Sequence, residues 1–314
     1  MGPTIGLPRS LLYHRYRVLW TSFFDGLGVE TVASPPSNRA ILDRGLRLAV
    51  DETCLPLKIL LGHVEALKDR ADYVLMPRIV SVARGETACV KFLGAYDVVR
   101  NLVEGVELLE YNVDVQAGIT ERAELCRLGR DLRGKPLATR LAYERAKRAE
   151  SRFLVERAHT QEIALEQEGL KVLVVGHGYN LEDELLGMPI VRTLKELGVT
   201  PVTAEMHDQG SFRRLAGRLS TDIPWTYNKE LLGAVERYRD RVDGIVFLVT
   251  FPCGPDSLMT ELCVRRIKDK PILVIVLDEL QGEAGLRTRI ESFVDLIEFR
   301  QSRGTSRRIM APLA

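Results

Sequence analysis

Cys54, Cys89 and Cys253 are the residues of this chain whose type and setting could do chemistry. They stand in Asp51-Glu52-Thr53-Cys54-Leu55-Pro56, Cys89-Val90-Lys91-Phe92-Leu93-Gly94 and Phe251-Pro252-Cys253-Gly254-Pro255-Asp256-Ser257. Each has a proline or glycine within a few positions, so the three thiols read as loop residues rather than helix interiors. The third follows the apolar run 244–249, and a buried parallel strand ending in a Gly/Pro-rich turn is where an open α/β sheet places its ligand. Cys126 and Cys263 lie in helical surroundings and read as packing residues. None of the five cysteines forms a C-x-x-C pair, which argues against a zinc ribbon. Dispersed loop thiolates are soft ligands that suit an iron-sulfur cluster, zinc or Cu(I), and single cysteines also occur as core residues.

The residues near these thiols each carry two readings. Asp51-Glu52 and Asp256 are the neighbouring carboxylates, either proton donors or, for Asp256, a helix cap or a partner of Arg78. Lys58, Arg78 and Lys91 could balance charge at the site, hold an anionic substrate or face solvent. His177 could donate a hydrogen bond to a bound group or be a satisfied loop histidine. Asp278-Glu279, at the end of the last strand, could line a cleft or cap a helix. No residue is assigned as catalytic. Gly176-His177-Gly178 is only the front of a G-x-G-x-x-G, with Leu181 in the last place, and there is no P-loop.

The elements that must position these residues alternate. Strands are expected near 4–8, 29–33, 73–78, 106–109, 171–175, 200–204, 244–249 and 271–277. Helices are expected between them, including one after a Ser10 cap, one opened by Asn38, one over 57–68 and one over 257–268. Pro77 is expected to end its strand, and a last helix over 286–299 precedes a tail from Arg307. The fold class expected is α/β, two Rossmann-like, flavodoxin-like doubly wound domains with mainly parallel sheets facing each other across a cleft. The domains are residues 1–160, carrying Cys54 and Cys89, and 161–314, carrying Cys253. An Ala/Arg/Glu-rich helix over 136–168 connects them.

Composition bounds the partners. The 44 basic and 43 acidic residues leave a formal charge of +1, so no field of one sign favours nucleic acid or a membrane surface. No apolar run reaches the length of a membrane helix. The N-terminus lacks a basic segment followed by a long apolar one, and the odd cysteine number argues against a disulfide framework. A cytoplasmic protein is expected.

Several motifs carry a resemblance. Ile5-Gly6-Leu7-Pro8-Arg9, Ala49-Val50-Asp51-Glu52-Thr53-Cys54-Leu55-Pro56-Leu57-Lys58, Val74-Leu75-Met76-Pro77-Arg78 and Cys89-Val90-Lys91-Phe92-Leu93-Gly94 fall in the first half. Gly176-His177-Gly178-Tyr179-Asn180, the Cys253 motif and Asp278-Glu279-Leu280-Gln281-Gly282-Glu283-Ala284-Gly285 follow. In this order, over roughly residues 4 to 298, the chain resembles the activase-related branch of the 2-hydroxyacyl-CoA dehydratase family. The resemblance implies an iron-sulfur cluster, [4Fe-4S] or double-cubane, between two Rossmann-like domains, with Cys54, Cys89 and Cys253 as ligands. Glu52, Arg78, Lys91, His177 and Asp256 would surround it. It also implies a separate ATP-hydrolysing activator that supplies a low-potential electron, since this chain has no ATPase domain. The reaction would be that of a dehydratase-like lyase or of an ATP-dependent reductase component, with a dehydratase-like partner subunit or a second copy of the chain. The alternative is a non-catalytic cluster-bearing subunit, sensor or assembly module.

Overall fold

The computed structural model describes residues 2–133, 135–204, 209–280 and 282–309. Gln281 of the motif above, and residues 310–314 of the expected tail, lie outside the described residues. The first half runs β1 (Ile5–Leu7), α1 (Tyr13–Gly26), β2 (Thr31–Ala33), α2 (Arg39–Leu48), α3 (Leu55–Glu65), β3 (Tyr73–Ser81), α4 (Val90–Leu102), β4 (Leu108–Asp114) and α5 (Glu121–Arg133). Helix α6 (Pro136–Glu166) carries the chain across, and the boundary expected at 160/161 falls in its last turns. The second half runs β5 (Lys171–Val175), α7 (Gly178–Leu181), α8 (Gly187–Glu196), β6 (Thr200–Thr203), α9 (Gln209–Ala216), α10 (Thr226–Tyr238), β7 (Gly244–Thr250), α11 (Gly254–Arg266), β8 (Ile272–Leu277) and α12 (Glu283–Ile309).

The strands form two four-stranded sheets, ordered β2-β1-β3-β4 and β6-β5-β7-β8, and every pairing between strands is parallel. With helices flanking both sheets, this is the expected two-domain α/β fold, and the halves repeat one strand order. All seven residues of β7, Gly-Ile-Val-Phe-Leu-Val-Thr, are buried, because a central parallel strand is covered on both faces. The hydrophobic core does not divide cleanly between halves. Ile41 and Leu42 of α2 and Leu55 and Ile59 of α3 are buried in one cluster with Val174, Leu248 and Ile290.

Helices α2 and α3 meet backbone to backbone, which fixes the turn that carries Cys54. A Cβ on Gly45 would lie 1.8 Å from the Lys58 carbonyl oxygen, and one on Gly62 would lie 2.0 Å from that of Ile41. Gly62→Ala is therefore expected to destabilise the fold by about 3 kcal/mol through overpacking. A denaturant midpoint equal to that of the parent would contradict this contact.

Several local expectations are corrected. Ser10 does not cap α1: the chain turns through Leu11 at φ 46°, the helix begins after Leu12, and the Ser10 hydroxyl donates to the Pro56 carbonyl at 3.2 Å. Pro77 does not end β3, which continues to Ser81. The Val74 amide donates to Glu107, so alternate amides face β4 and the donorless Pro77 faces the side of β1, whose register stops at Gly6–Val74. Asn38 does cap α2, accepting from the Ile41 amide at 3.1 Å. Arg307 is not tail, since α12 runs to Ile309.

A buried polar chain joins the halves beneath these helices. His63 of α3, fully buried, contacts the Ser34 hydroxyl through Nδ1 at 2.8 Å and the Ser37 hydroxyl through Nε2 at 2.9 Å. The Ser37 hydroxyl donates to the Asp183 carboxylate. Its one proton thus committed, Ser37 must accept from Nε2–H, and Nδ1 accepts from Ser34, so the ring is satisfied as the neutral tautomer. Burial, with the charges of His14 and Arg9, lowers the His63 pKa from 6.5 to about 3. The folded value lies below the unfolded one, so the stability is complete above 6.5 and drains away as pH falls toward 3. The slope is at most about 1.4 kcal/mol per pH unit. Burial pushes Asp183 the other way, upward, which returns part of the loss as that carboxyl takes its proton. Urea midpoints measured from pH 7.5 to 4 are expected to fall, and to fall less in His63→Asn.

Candidate functional site

In each sheet the strand order reverses between two central neighbours, β1 and β3 in the first and β5 and β7 in the second. Open α/β sheets bind ligands outside the carboxyl ends of strands at such a point. The loop after β3 leads to Cys89, the turn after β5 is His177, and the turn after β7 leads to Cys253. Cys54 arrives by another route, in the turn between α2 and α3.

Each of the three cysteines immediately precedes a helix. Cys54, Cys89 and Cys253 are the N-cap residues of α3, α4 and α11, all in extended backbone conformation. Pro56 and Pro255 sit in the first turns of α3 and α11, where a missing amide costs nothing. A helix start offers unpaired amides and the positive end of the helix dipole, a setting that favours a thiolate. The Lys91 amide donates to Cys89 Sγ at 3.4 Å. Helix α11 starts at Gly254, earlier than the expected 257, so Gly254 and Pro255 belong to its first turn rather than to the turn before it.

Backbone hydrogen bonds stitch the cysteine loops together across the halves. The Leu55 amide donates to the Phe251 carbonyl at 3.0 Å, joining the loops of Cys54 and Cys253. Thr87, two residues before Cys89, donates to Pro224 at 3.0 Å and accepts from the Thr226 amide at 2.9 Å.

Burial raises the pKa of each of the three thiols. Burial pushes the Cys54 thiol up, and among the weaker influences the Cys89 and Asp256 charges push it further while the Leu57 amide and Lys91 oppose. Cys89 is raised by burial, opposed by the Lys91 and Phe92 amides and by Lys91, with Asp256 adding to the rise. Cys253 is raised furthest, by burial and then by the Asp256 charge, with Cys89 contributing. Tyr179 senses all of them: burial raises its pKa well above the ordinary value, and Asp256, Cys253, Cys54 and Cys89 each add to the rise. Left alone, these thiols keep their protons, and they become thiolates when a bound cationic centre replaces those protons.

Asp256 is the buried anchor beside them, 2% exposed. Its Oδ1 accepts from Asn228 Nδ2 at 2.8 Å and meets His177 Nε2 at 2.8 Å. Burial opposes its ionisation, but the His177 charge and the hydrogen bonds of His177, Asn228 and Cys253 hold its pKa below the ordinary carboxylate value. The His177 ring stacks on Tyr179, centroids 4.9 Å apart, and Phe92 of α4 meets Tyr179 and Tyr227 edge-on at 6.0 and 5.5 Å.

The other sequence candidates divide. Lys91 acts on Cys54 and Cys89. Glu52 lies exposed two residues before Cys54. Arg78 is engaged elsewhere, with Asp97 at 3.0 Å and Glu110 at 3.2 Å rather than with Asp256. Lys58 is buried and pairs with Glu279 at 2.8 Å across the halves. Cys126 sits half-buried on α5 and Cys263 is fully buried on α11, where burial pushes its thiol up to about 12. The sequence reading missed Tyr179 and Asn228. Tyr179 stood inside a quoted motif but was given no role; Asn228 had no local signal.

Among the described residues no group of three or more His, Cys, Asp or Glu side chains is arranged to hold a single metal ion. The three thiols are half-buried soft donors at three helix starts, with amide donors and one lysine beside them. Among the described residues, no helix is long and apolar enough to cross a membrane.

The family described as "CoA enzyme activase uncharacterised domain" matches residues 4–206, a span that contains Cys54, Cys89, His177 and Tyr179 and stops before Cys253. No curated protein matches the chain. Among solved structures, a Cd-bound periplasmic metal binding protein from candidatus liberibacter asiaticus is 11% identical, covering 94% of this chain and 99% of its own, with TM-score 0.27. ZnuA is likewise 11% identical over 94% and 99%, TM-score 0.26. The siderophore binding protein BauB is 14% identical over 79% and 71%, TM-score 0.22. At these scores the likenesses carry no argument about this chain.

Proposed function

Because the chain belongs to the CoA enzyme activase uncharacterised domain family, we propose that it is an iron-sulfur protein of the 2-hydroxyacyl-CoA dehydratase type. In this reading it takes a low-potential electron from a separate ATP-hydrolysing activator and acts reductively on an acyl-CoA or other small substrate. What supports the reading is that Cys54, Cys89 and Cys253 are each the N-cap of a different helix, with the loops of Cys54 and Cys253 joined by the Leu55–Phe251 backbone hydrogen bond.

The three cysteines would hold a [4Fe-4S] or double-cubane cluster, which when bound would supply one-electron reduction. The chain's own residues do the rest. The amides of Leu57, Lys91 and Asp256 and the ammonium of Lys91 stabilise thiolate charge. The His177–Asp256–Asn228 set fixes the α11 start and the Tyr179 ring, so that Cys253 keeps its position relative to the first half. Phe92, Tyr179 and Tyr227 exclude water from the inner side. Exposed apolar residues ring the outer side: Val50, Val90, Phe251 and Leu258 are 65, 72, 57 and 47% exposed. That rim favours a protein that covers the site, and it supports both the activator and the reading of the chain as a cluster-bearing subunit of a larger assembly. Reduced cysteines of this kind belong in the cytoplasm.

The test is anaerobic purification and reconstitution, followed by iron and sulfide analysis. Several irons and matching sulfide per chain, with a broad visible absorption, are expected, and the absorption should bleach on adding an activator, ATP and reductant. Folded protein that stays colourless and iron-free after reconstitution would sink the proposal. A cluster that no activator reduces would favour the non-catalytic subunit.

A further inference from the structure

A pocket of about 20 Å³ lies past the end of β1, between α1, α3, α4 and β3, where β1 has stopped and β3 runs on. Strand order in the first sheet reverses between these two strands, the place at which open α/β sheets take ligands. Leu60, Met76, Pro77, Phe92 and Ala95 line the pocket together with Trp20, and no charged residue does. Its space suits a group of about the size of a carbonyl. Two wall residues tie it to the cysteine helices. The Ser10 hydroxyl donates to the carbonyl of Pro56, two residues after Cys54, and Phe92 stands three residues after Cys89 on α4.

The observation that points to a ligand is an unmet donor in this wall. Trp20 is 2% exposed, and among the described residues its Nε1–H has no hydrogen-bond partner. A buried indole N–H normally has one. The ring is held in place, stacked on Tyr16 with centroids 5.5 Å apart and edge-on to Tyr111 at 5.9 Å. Leu11, also in the wall, has φ 46°, a left-handed conformation that leucine rarely adopts and that clusters at ligand sites. Water needs two to four polar partners, yet Pro77 has no N–H and the Ser10 proton is already given to Pro56. A charged group would be buried without a counter-charge. One acceptor atom on an apolar stem meets the indole donor and the apolar wall together.

We propose that this pocket takes the carbonyl of a compact, uncharged aliphatic molecule, with Trp20 Nε1–H as its donor. If the iron-sulfur reading holds, this is the place for the acyl end of the substrate, an assignment that rests on that reading; the carbonyl site itself does not. Proton–nitrogen correlation spectra of the full-length protein, purified without reconstitution, test it with butanone as the probe. The chain has two tryptophans, and Trp225→Phe assigns the two indole resonances. The Trp20 indole resonance should shift saturably with butanone. The methylene isostere of butanone, which lacks the acceptor, should bind roughly fivefold more weakly, the net worth of one hydrogen bond, and propanoate should not bind. Ala95→Leu, which fills the pocket, should abolish the shift; Ala95→Val serves in its place if circular dichroism shows the leucine variant unfolded. An unmoved Trp20 resonance, equal affinity for the isostere, preference for propanoate, or binding indifferent to the folded Ala95 variant would each overturn the proposal. Since no iron is present in this experiment, its failure is distinct from a failure to assemble a cluster.

Discussion

Replacing Glu230 with alanine is expected to lower the unfolding free energy by about 3–5 kcal/mol, the cost of stripping the partner from a buried charge. Glu230 of α10 is completely buried and binds Arg15 of α1 at 2.7 Å and Arg213 of α9 at 3.0 Å. Arg15 is itself nearly buried, lying 4.8 Å from the Tyr227 ring centroid. Burial pulls the pKa of that guanidinium down, and the Glu230 carboxylate more than compensates, holding it well above the ordinary value. Arg213 and Lys229 in turn reach Glu86, three residues before Cys89, so the network ties the Cys89 loop to the second half. A cost of this size is a large fraction of a typical domain's stability. The paired variant Arg15→Met with Glu230→Leu removes both charges and should regain most of the loss. A single variant within 1 kcal/mol of the parent in urea titration would contradict the network's role.

Cys54→Ala, Cys89→Ala and Cys253→Ala should each bring iron and sulfide per chain close to zero after anaerobic reconstitution, while Cys126→Ala and Cys263→Ala keep the parent content. The expectation follows from the proposed ligand set, in which loss of one of three thiolates leaves too few anchors. Stability separates this from misfolding. The three side chains are only half-buried, whereas Cys263 is fully buried, so the alanine variants should stay folded, with urea midpoints close to that of the metal-free parent. Because burial and Asp256 raise the three thiol pKa values, their removal should even spare the metal-free protein a loss of stability at high pH. A thiol held protonated above its unfolded value of 9.0 favours the folded state less as pH climbs past that value. Retention of iron by all three variants would refute the ligand assignment.

Much of this architecture is legible in local sequence. The apolar runs of β5 and β7, the Asn38 cap and the long breaker-free helix α6 each declare themselves within a few turns of chain, because strand and helix periodicity are short-range properties. Boundaries were less legible where tertiary contacts overrode local signals. Ser10 looks like a cap but is drawn to Pro56, Pro77 looks like a strand end but faces the side where β1 has stopped, and Gly254-Pro255 looks like a turn but forms the first turn of α11. Arg78 shows the same limit for the site: its motif places it near the cysteines in sequence, while β4 and α4 supply the carboxylates that claim it.

The sequence by itself determined that the chain builds two parallel α/β units and that Cys54, Cys89 and Cys253 stand at turns, since residue type and spacing set those features locally. Only the tertiary structure decided that all three become helix N-caps and that Leu55 and Thr87 bind backbone from the other half. It also decided that His177 and Asn228 bind Asp256 and that His177 stacks on Tyr179. Such partners lie tens to hundreds of residues apart, and they are selected by how burial and hydrogen-bond satisfaction are met across the interface, which no local pattern encodes.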